Sequence, residues 1–230
     1  MKLRPVVMKL SDKTLSLLKN FSTINQSILF KQGSKLRTIS VMKNILAVAE
    51  VDENFEKEFG INDLPQFLNG VNLMNDPDID LRNESYMILR EGETTKVKFA
   101  FADPEVIISP PEKGIELTNP DVSFQLDSIQ LQKLLKASSI YQLPDLAAVG
   151  NAKSITLTVR DKKNDNSNEF SLVVGETDSI FEFNFKIENI KLIPGSYEVQ
   201  ISRKNLAKFT NSKYNLDYFI ALEPDSTYAD

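Results

Sequence analysis

The sequence predicts an α+β protein of two similar domains, each an antiparallel sheet carrying two helices. Three observations predict it. Apolar residues alternate with polar ones through most segments, the pattern of strands with one buried and one solvated face. The motif LLKNFS at 17–22 returns as LLKASS at 134–139, with four of its six letters kept. Between the copies lies Ser109-Pro110-Pro111-Glu112-Lys113-Gly114, continuing through Thr118-Asn119-Pro120. Proline forbids a helix there and stiffens the chain, so the stretch is expected to connect domains. The expected division is 1–108 for the first domain, 109–121 for the connector and 122–230 for the second.

The elements follow in order. Ser11 is an N-cap type, and behind it Thr14, Leu17, Leu18, Phe21 and Ile24 repeat at helical spacing. A second helix opens at Asp63, with Gln66 three residues on and Pro65 in the first turn, where its missing N–H costs little. Leu64, Phe67, Leu68 and Val71 form its apolar face. Val97, Phe99 and Phe101 then alternate with Lys96, Lys98 and Ala100 as a strand. Past the connector, Asp127 and Gln130 make a capping-box variant ahead of Leu131, Leu134 and Leu135. Strands follow at Ile155-Leu157-Val159, Phe170-Leu172-Val174, Phe181-Phe183-Phe185-Ile187 and Tyr197-Val199-Ile201, counting alternate residues. A very short fourth helix is expected over Glu188 to Leu192, stopped by Pro194-Gly195.

Composition narrows the chemistry. With 230 residues, 41% hydrophobic and 26% charged, the chain is a folded protein with ample length for a core. It has neither cysteine nor histidine, which removes thiol nucleophiles, Ser-His triads and the usual zinc sites. The lack of disulfides fits a cytosolic setting. No apolar run approaches the ~18 residues of a membrane span, and the N-terminus lacks a signal peptide's apolar core. MKL occurs at Met1 and again at Met8, which makes Met8 a candidate native start. A net charge of −5 argues against tight non-specific DNA binding by the surface as a whole, while leaving room for a local basic patch.

Several stretches together resemble the sliding clamps of T-even-type bacteriophages, the phage relatives of PCNA. They are LLKNFSTIN (17–25), DLPQFLNGVNLMND (63–76), ADP (102–104), LQKLLKAS (131–138), FNF (183–185), PGSYE (194–198), AKF (207–209) and ALEPDST (221–227). The resemblance implies a DNA-clamp fold and a head-to-tail homotrimer closed into a ring around duplex DNA. Helices would line the hole, and each chain would supply the repeated unit twice. It further implies a processivity factor in viral DNA replication, without catalysis or cofactor, in the cytoplasm of an infected bacterium. Its partners would be double-stranded DNA held without sequence preference, the replicative polymerase, an ATP-driven clamp loader and late-transcription factors, with no membrane.

Such a ring holds DNA by topology, so its lining needs only weak, exchangeable phosphate contacts. Lys19 and Lys136 each follow a Leu-Leu pair and sit ~100° around the helix from the second leucine, off the core face. Lys133 shares the face of Lys136. Lys13 and Lys191 complete the expected DNA-facing set. Spacing alone leaves open that these are ordinary solvated lysines. By resemblance, Lys96, Val97, Lys98, Phe99 and Phe101 would pair with Phe170, Leu172 and Val174 of a neighbouring subunit. A partner pocket would draw on Val106, Ile107, Ile108, Tyr218, Phe219, Ile220, Leu222 and Pro224.

Two acidic stretches are decoys. Asp76, Asp78 and Asp80 imitate the start of a calcium loop, but the glycine expected at the sixth place is Leu81 and the glutamate at the twelfth is Met87. Asp161 to Glu169 separates two alternating strands and is expected to be a hairpin loop. The alternative to a clamp is a structural homo-oligomeric component of a phage particle.

Overall fold

A strand with one apolar residue in two has one face to bury, so sheets here must be covered by helices or by one another. The structure, a computed structural model, describes residues 7–229; the segment before Val7, on which the candidate start at Met8 bears, lies outside the described residues. The chain divides into two compact units, Met1–Glu112 and Lys113–Asp230.

In the first unit the order is β1 (Val7–Met8), α1 (Asp12–Ile24), β2 (Ile28–Phe30), β3 (Gly33–Ile39), β4 (Ile45–Phe55), β5 (Phe59–Ile61), α2 (Leu64–Asn72), β6 (Asp78–Asp80), β7 (Tyr86–Glu91) and β8 (Thr95–Ala100). β1, β6, β7 and β8 form an antiparallel sheet in that order. β3 pairs with β4, and β2 with β5. The first half of β4 buries Ile45, Leu46 and Ala47 in succession, which hides its period of two. α1 buries Thr14, Leu17, Leu18, Phe21 and Ile24, the predicted stripe, against β3, β4 and α2. Phe30 stacks on Phe59 with ring centroids 4.6 Å apart and meets Phe55 edge-on at 4.9 Å. These rings close the core between the two short strands and the end of β4.

In the second unit the order is β9 (Val122–Leu126), α3 (Ser128–Tyr141), β10 (Asp145–Asn151), β11 (Ser154–Arg160), β12 (Phe170–Glu176), β13 (Ile180–Lys186), β14 (Tyr197–Ser202), β15 (Leu206–Asn211), β16 (Leu216–Ala221) and β17 (Thr227–Tyr228). One antiparallel sheet runs β12-β11-β10-β13-β17, and β9-β14-β15-β16 pair in succession. The capping box forms as the spacing predicts: Asp127 accepts from the Gln130 N–H at 2.8 Å, and Gln130 Oε1 accepts from the Asp127 N–H at 3.0 Å.

The repeated motif is helical in both units but packs differently. Leu17 and Leu134 are both buried, whereas Leu18 is fully buried and Leu135 only half so. α1 has α2 lying along it. Phe21 fills the core of the first unit; its counterpart Ser138 donates to the Leu143 carbonyl at 2.7 Å and ties down the helix end.

The expected fourth helix is corrected. Only Ile187–Asn189 of this stretch is helical, as a single 3-10 turn, so among the described residues the second unit has one α-helix rather than two. Ile190, Leu192 and Ile193 are all buried, a spacing that no single helical stripe supplies. The Ile193 N–H donates to the Tyr218 hydroxyl at 3.1 Å and its carbonyl accepts from Tyr197, which ties the backbone ahead of Pro194 to the core instead of to a helix.

Candidate nucleic-acid interface and partner surfaces

Charge is sorted onto the helices. α1 holds Asp12, Lys13 and Lys19, α2 holds no charged residue, and α3 holds only Lys133 and Lys136. The helices are thus net positive in a chain of net charge −5. Lys19, Lys133 and Lys136 are exposed. At 100° per residue Lys133 and Lys136 share one face of α3, with Ile129 and Ile140 above and below them. Those two isoleucines are 66% and 70% exposed. No expectation covered them, although their spacing around the two lysines was visible in the sequence.

Lys13 and Lys191 are placed differently. The Lys13 ammonium donates to the Glu50 carbonyl on β4 at 3.1 Å, which folds it back on its own sheet. Lys191 follows the 3-10 turn, half-buried and with contacts of its own.

The start of α1 is fixed from β4. Ser11 Oγ accepts from the Thr14 N–H at 3.2 Å, and Glu53 accepts from the Ser11 N–H and the Thr14 hydroxyl, each at 2.5 Å. Burial pushes the Glu53 carboxyl up, but the hydrogen bonds from Ser11 and Thr14 outweigh it and leave it below its ordinary value. This carboxylate supplies a second acceptor at a helix N-terminus, and its distance in sequence hid the role.

The two candidate interface strands are both sheet edges. Among the described residues β8 pairs with β7 alone and β12 with β11 alone. On β8, Val97 and Phe99 are half-buried on the helix side, where Phe99 meets Phe67 at 5.5 Å, while Lys96 and Lys98 are exposed. The Lys98 ammonium lies 4.3 Å from the centre of the Tyr86 ring. Phe101 follows the strand, its ring 5.1 Å from that of Phe59. On β12, Phe170, Leu172 and Val174 are half-buried, beside α3.

The expected pocket set divides. Val106 and Ile108 are 66% and 41% exposed, while Ile107 between them is 6% exposed. Pro224 is exposed. Tyr218, Phe219, Ile220 and Leu222 are core, with Tyr218 and Ile220 fully buried. With these four side chains buried, Val106, Ile108 and Pro224 are the members of the expected set that are exposed.

The acidic decoys resolve into ion pairs and turns. Lys9 pairs with Asp76 and lies 3.9 Å from Asp78, and Arg82 pairs with Asp80. The Arg82 guanidinium holds the Asp80 carboxyl down at about 2, against the opposing effect of burial. In the 161–169 loop, Asp161 and Asn164 accept from the N–H groups two residues on, at 3.0 and 3.2 Å. Among the described residues no helix is long and apolar enough to cross a membrane.

Solved structures place this architecture. The chain is similar to PCNA from A. fulgidus bound to the C-terminal region of FEN-1, with TM-score 0.70, 14% identity, 96% of this chain and 99% of that chain covered. It is similar to PCNA from Entamoeba histolytica, with TM-score 0.68, 15% identity, 91% and 94% covered. By fold it is a DNA clamp, α+β as the alternation predicts. The family described as DNA polymerase processivity factor matches residues 9–109, and that described as gp45 sliding clamp, C terminal, matches 123–224. Sliding clamps of Vibrio phage KVP40 and Enterobacteria phage T4 are 32% and 31% identical to it, over 94% and 96% of this chain and 99% of each relative. The chain belongs to the phage sliding clamp family, the DNA polymerase processivity factors. A structural particle component is not favoured.

Proposed function

We propose that the chain assembles head to tail into a homotrimeric ring that encircles duplex DNA and tethers the replicative polymerase to it. The single observation that carries this is the full-length similarity to sliding clamps. The exposed lysines of α1 and α3, on helices whose only acid is Asp12, supply a lining suited to weak phosphate contact. Lys19, Lys133 and Lys136 are the DNA-facing residues in this proposal; Lys13 and Lys191 are engaged elsewhere. Subunits join through Lys96 to Phe101 of one copy and Phe170, Leu172 and Val174 of the next, by strand addition at two free edges. Val106 and Ile108 are the accessible apolar residues before the connector for a partner peptide.

The ring works by effective concentration. A polymerase that lets go of the primer end stays attached, so its rebinding is intramolecular. The clamp itself catalyses nothing in this proposal. An ATP-driven loader opens it, late-transcription factors use the same platform, and it acts in the cytoplasm of the infected bacterium. The test is loader-dependent retention on nicked circular DNA, followed by linearisation. The clamp is expected to stay on the circle and to run off the free ends. Retention on unblocked linear DNA, or no loader-dependent retention, would refute the proposal.

A further inference from the structure

The two free sheet edges carry opposite charge. β8 has Lys96 and Lys98 and no acid within the strand. β12 ends in Glu176, is preceded directly by Glu169, and has no base within the strand. All four side chains belong to exposed residues, and among the described residues none forms an ion pair within the chain. They also lie on corresponding faces. On β8, Val97 and Phe99 turn to the helix side, which puts Lys96 and Lys98 on the outer face. On β12, Ser171 is outward, its hydroxyl 2.8 Å from that of Thr158, and Glu169 shares its side by alternation. The bulge opposite Ile155/Thr156 then brings Glu176 opposite Ser154, back to the outer face.

We propose that these charges select the head-to-tail contact between copies: when β12 of one copy adds antiparallel to β8 of the next with Val97 opposite Leu172, Lys98 reaches diagonally to Glu169 and Lys96 to Glu176. The proposal rests on the strand-addition reading of the subunit contact given above. Antiparallel addition that keeps the apolar faces together sends Lys96 toward the C-terminal end of β12 and Lys98 toward its N-terminal end. The wrong contacts are penalised by the same charges. Pairing β8 with β8 sets lysine against lysine, and β12 with β12 sets glutamate against glutamate, so a two-fold dimer is disfavoured. A free edge strand invites indiscriminate pairing, and opposite charges on the two edges restrict each to the other.

Sedimentation velocity of the full chain, with edge-specific crosslinking, tests this. Lys96→Glu with Lys98→Glu, and separately Glu169→Lys with Glu176→Lys, are each expected to weaken assembly by about tenfold to a hundredfold. All four changes together should restore it. Assembly of the unaltered chain should also weaken as salt rises from about 50 mM to about 500 mM. Because the chain has no cysteine, Val97→Cys with Leu172→Cys gives a crosslink specific to the two edges. A crosslink with assembly indifferent to charge reversal would overturn the charge selection and leave strand addition standing. Absence of a crosslink in assembled protein would remove strand addition and the proposal with it. Failure of the four-fold exchange to restore assembly, where each reversal alone abolishes it, would overturn the assigned pairs.

Discussion

Replacing Lys19, Lys133 and Lys136 by alanine separates DNA holding from folding. All three are exposed, and none is in an ion pair among the described residues. Alanine is at least as good a helix former as lysine, so stability should change by no more than about 0.5 kcal/mol. The effect on DNA is electrostatic. Each lysine that neutralises a phosphate contributes about 0.9 to the slope of log K against log salt. A trimer carries three copies of each position, so complete engagement of every copy would reduce the slope by about eight, and engagement of one copy in three by about 2.7. The assay is anisotropy of a short labelled duplex with the assembled ring at several salt concentrations. Lys13→Ala is the internal control: its ammonium is occupied by the Glu50 carbonyl at 3.1 Å, so the slope should hardly move. An unchanged slope for the triple variant, with the ring intact by sedimentation, would refute the assignment of these lysines to DNA. A larger effect from Lys13→Ala than from Lys136→Ala would refute the geometric basis for choosing among them.

Glu53→Gln should destabilise the first unit by about 1 kcal/mol in denaturant unfolding, since charge-assisted bonds from Ser11 and Thr14 become neutral ones. The folded-state value of this carboxyl is depressed, so its contribution is present above the unfolded value and is lost as pH falls through the folded one. The acid limb of the stability curve should therefore flatten in the variant. Gly150→Ala drives a new methyl into the Phe181 ring and should cost about 1–3 kcal/mol, checked by thermal unfolding. Burial pushes the phenols of Tyr197 and Tyr218 well above their ordinary value of about 10. Their contribution is complete below that value and is lost as pH rises through the folded one, so spectrophotometric titration should find two of the 6 tyrosines silent until the protein unfolds.

Which parts of this were legible in the chain follows from the range of the forces involved. Ser11, Asp63 and Asp127 each accept from an N–H three residues on, so three helix starts could be placed from neighbours alone. The duplicated Leu-Leu-Lys motif placed α1 and α3, and alternation placed β8, β11, β12, β13 and β14. Among the candidate site residues, Lys19, Lys133 and Lys136 could be sent to the solvent side because a helix turns by a fixed angle per residue.

Tertiary structure decided what depends on distant partners. Lys13 is exposed by helical phase but is occupied by a carbonyl 37 residues away. Tyr218, Phe219, Ile220 and Leu222 have the composition of a binding groove, yet core neighbours cover them. Glu188 to Leu192 could continue as a helix, but burying Ile190, Leu192 and Ile193 together and bonding Ile193 to two tyrosine hydroxyls outweighs it. Local spacing sets which face a side chain takes, whereas burial and charge partners are set by segments that only folding brings near. The sequence by itself therefore determined the repeat, the caps and the alternation. Tertiary packing decided which lysines stay free, which apolar strands become core, and that both oppositely charged edges are unpaired among the described residues.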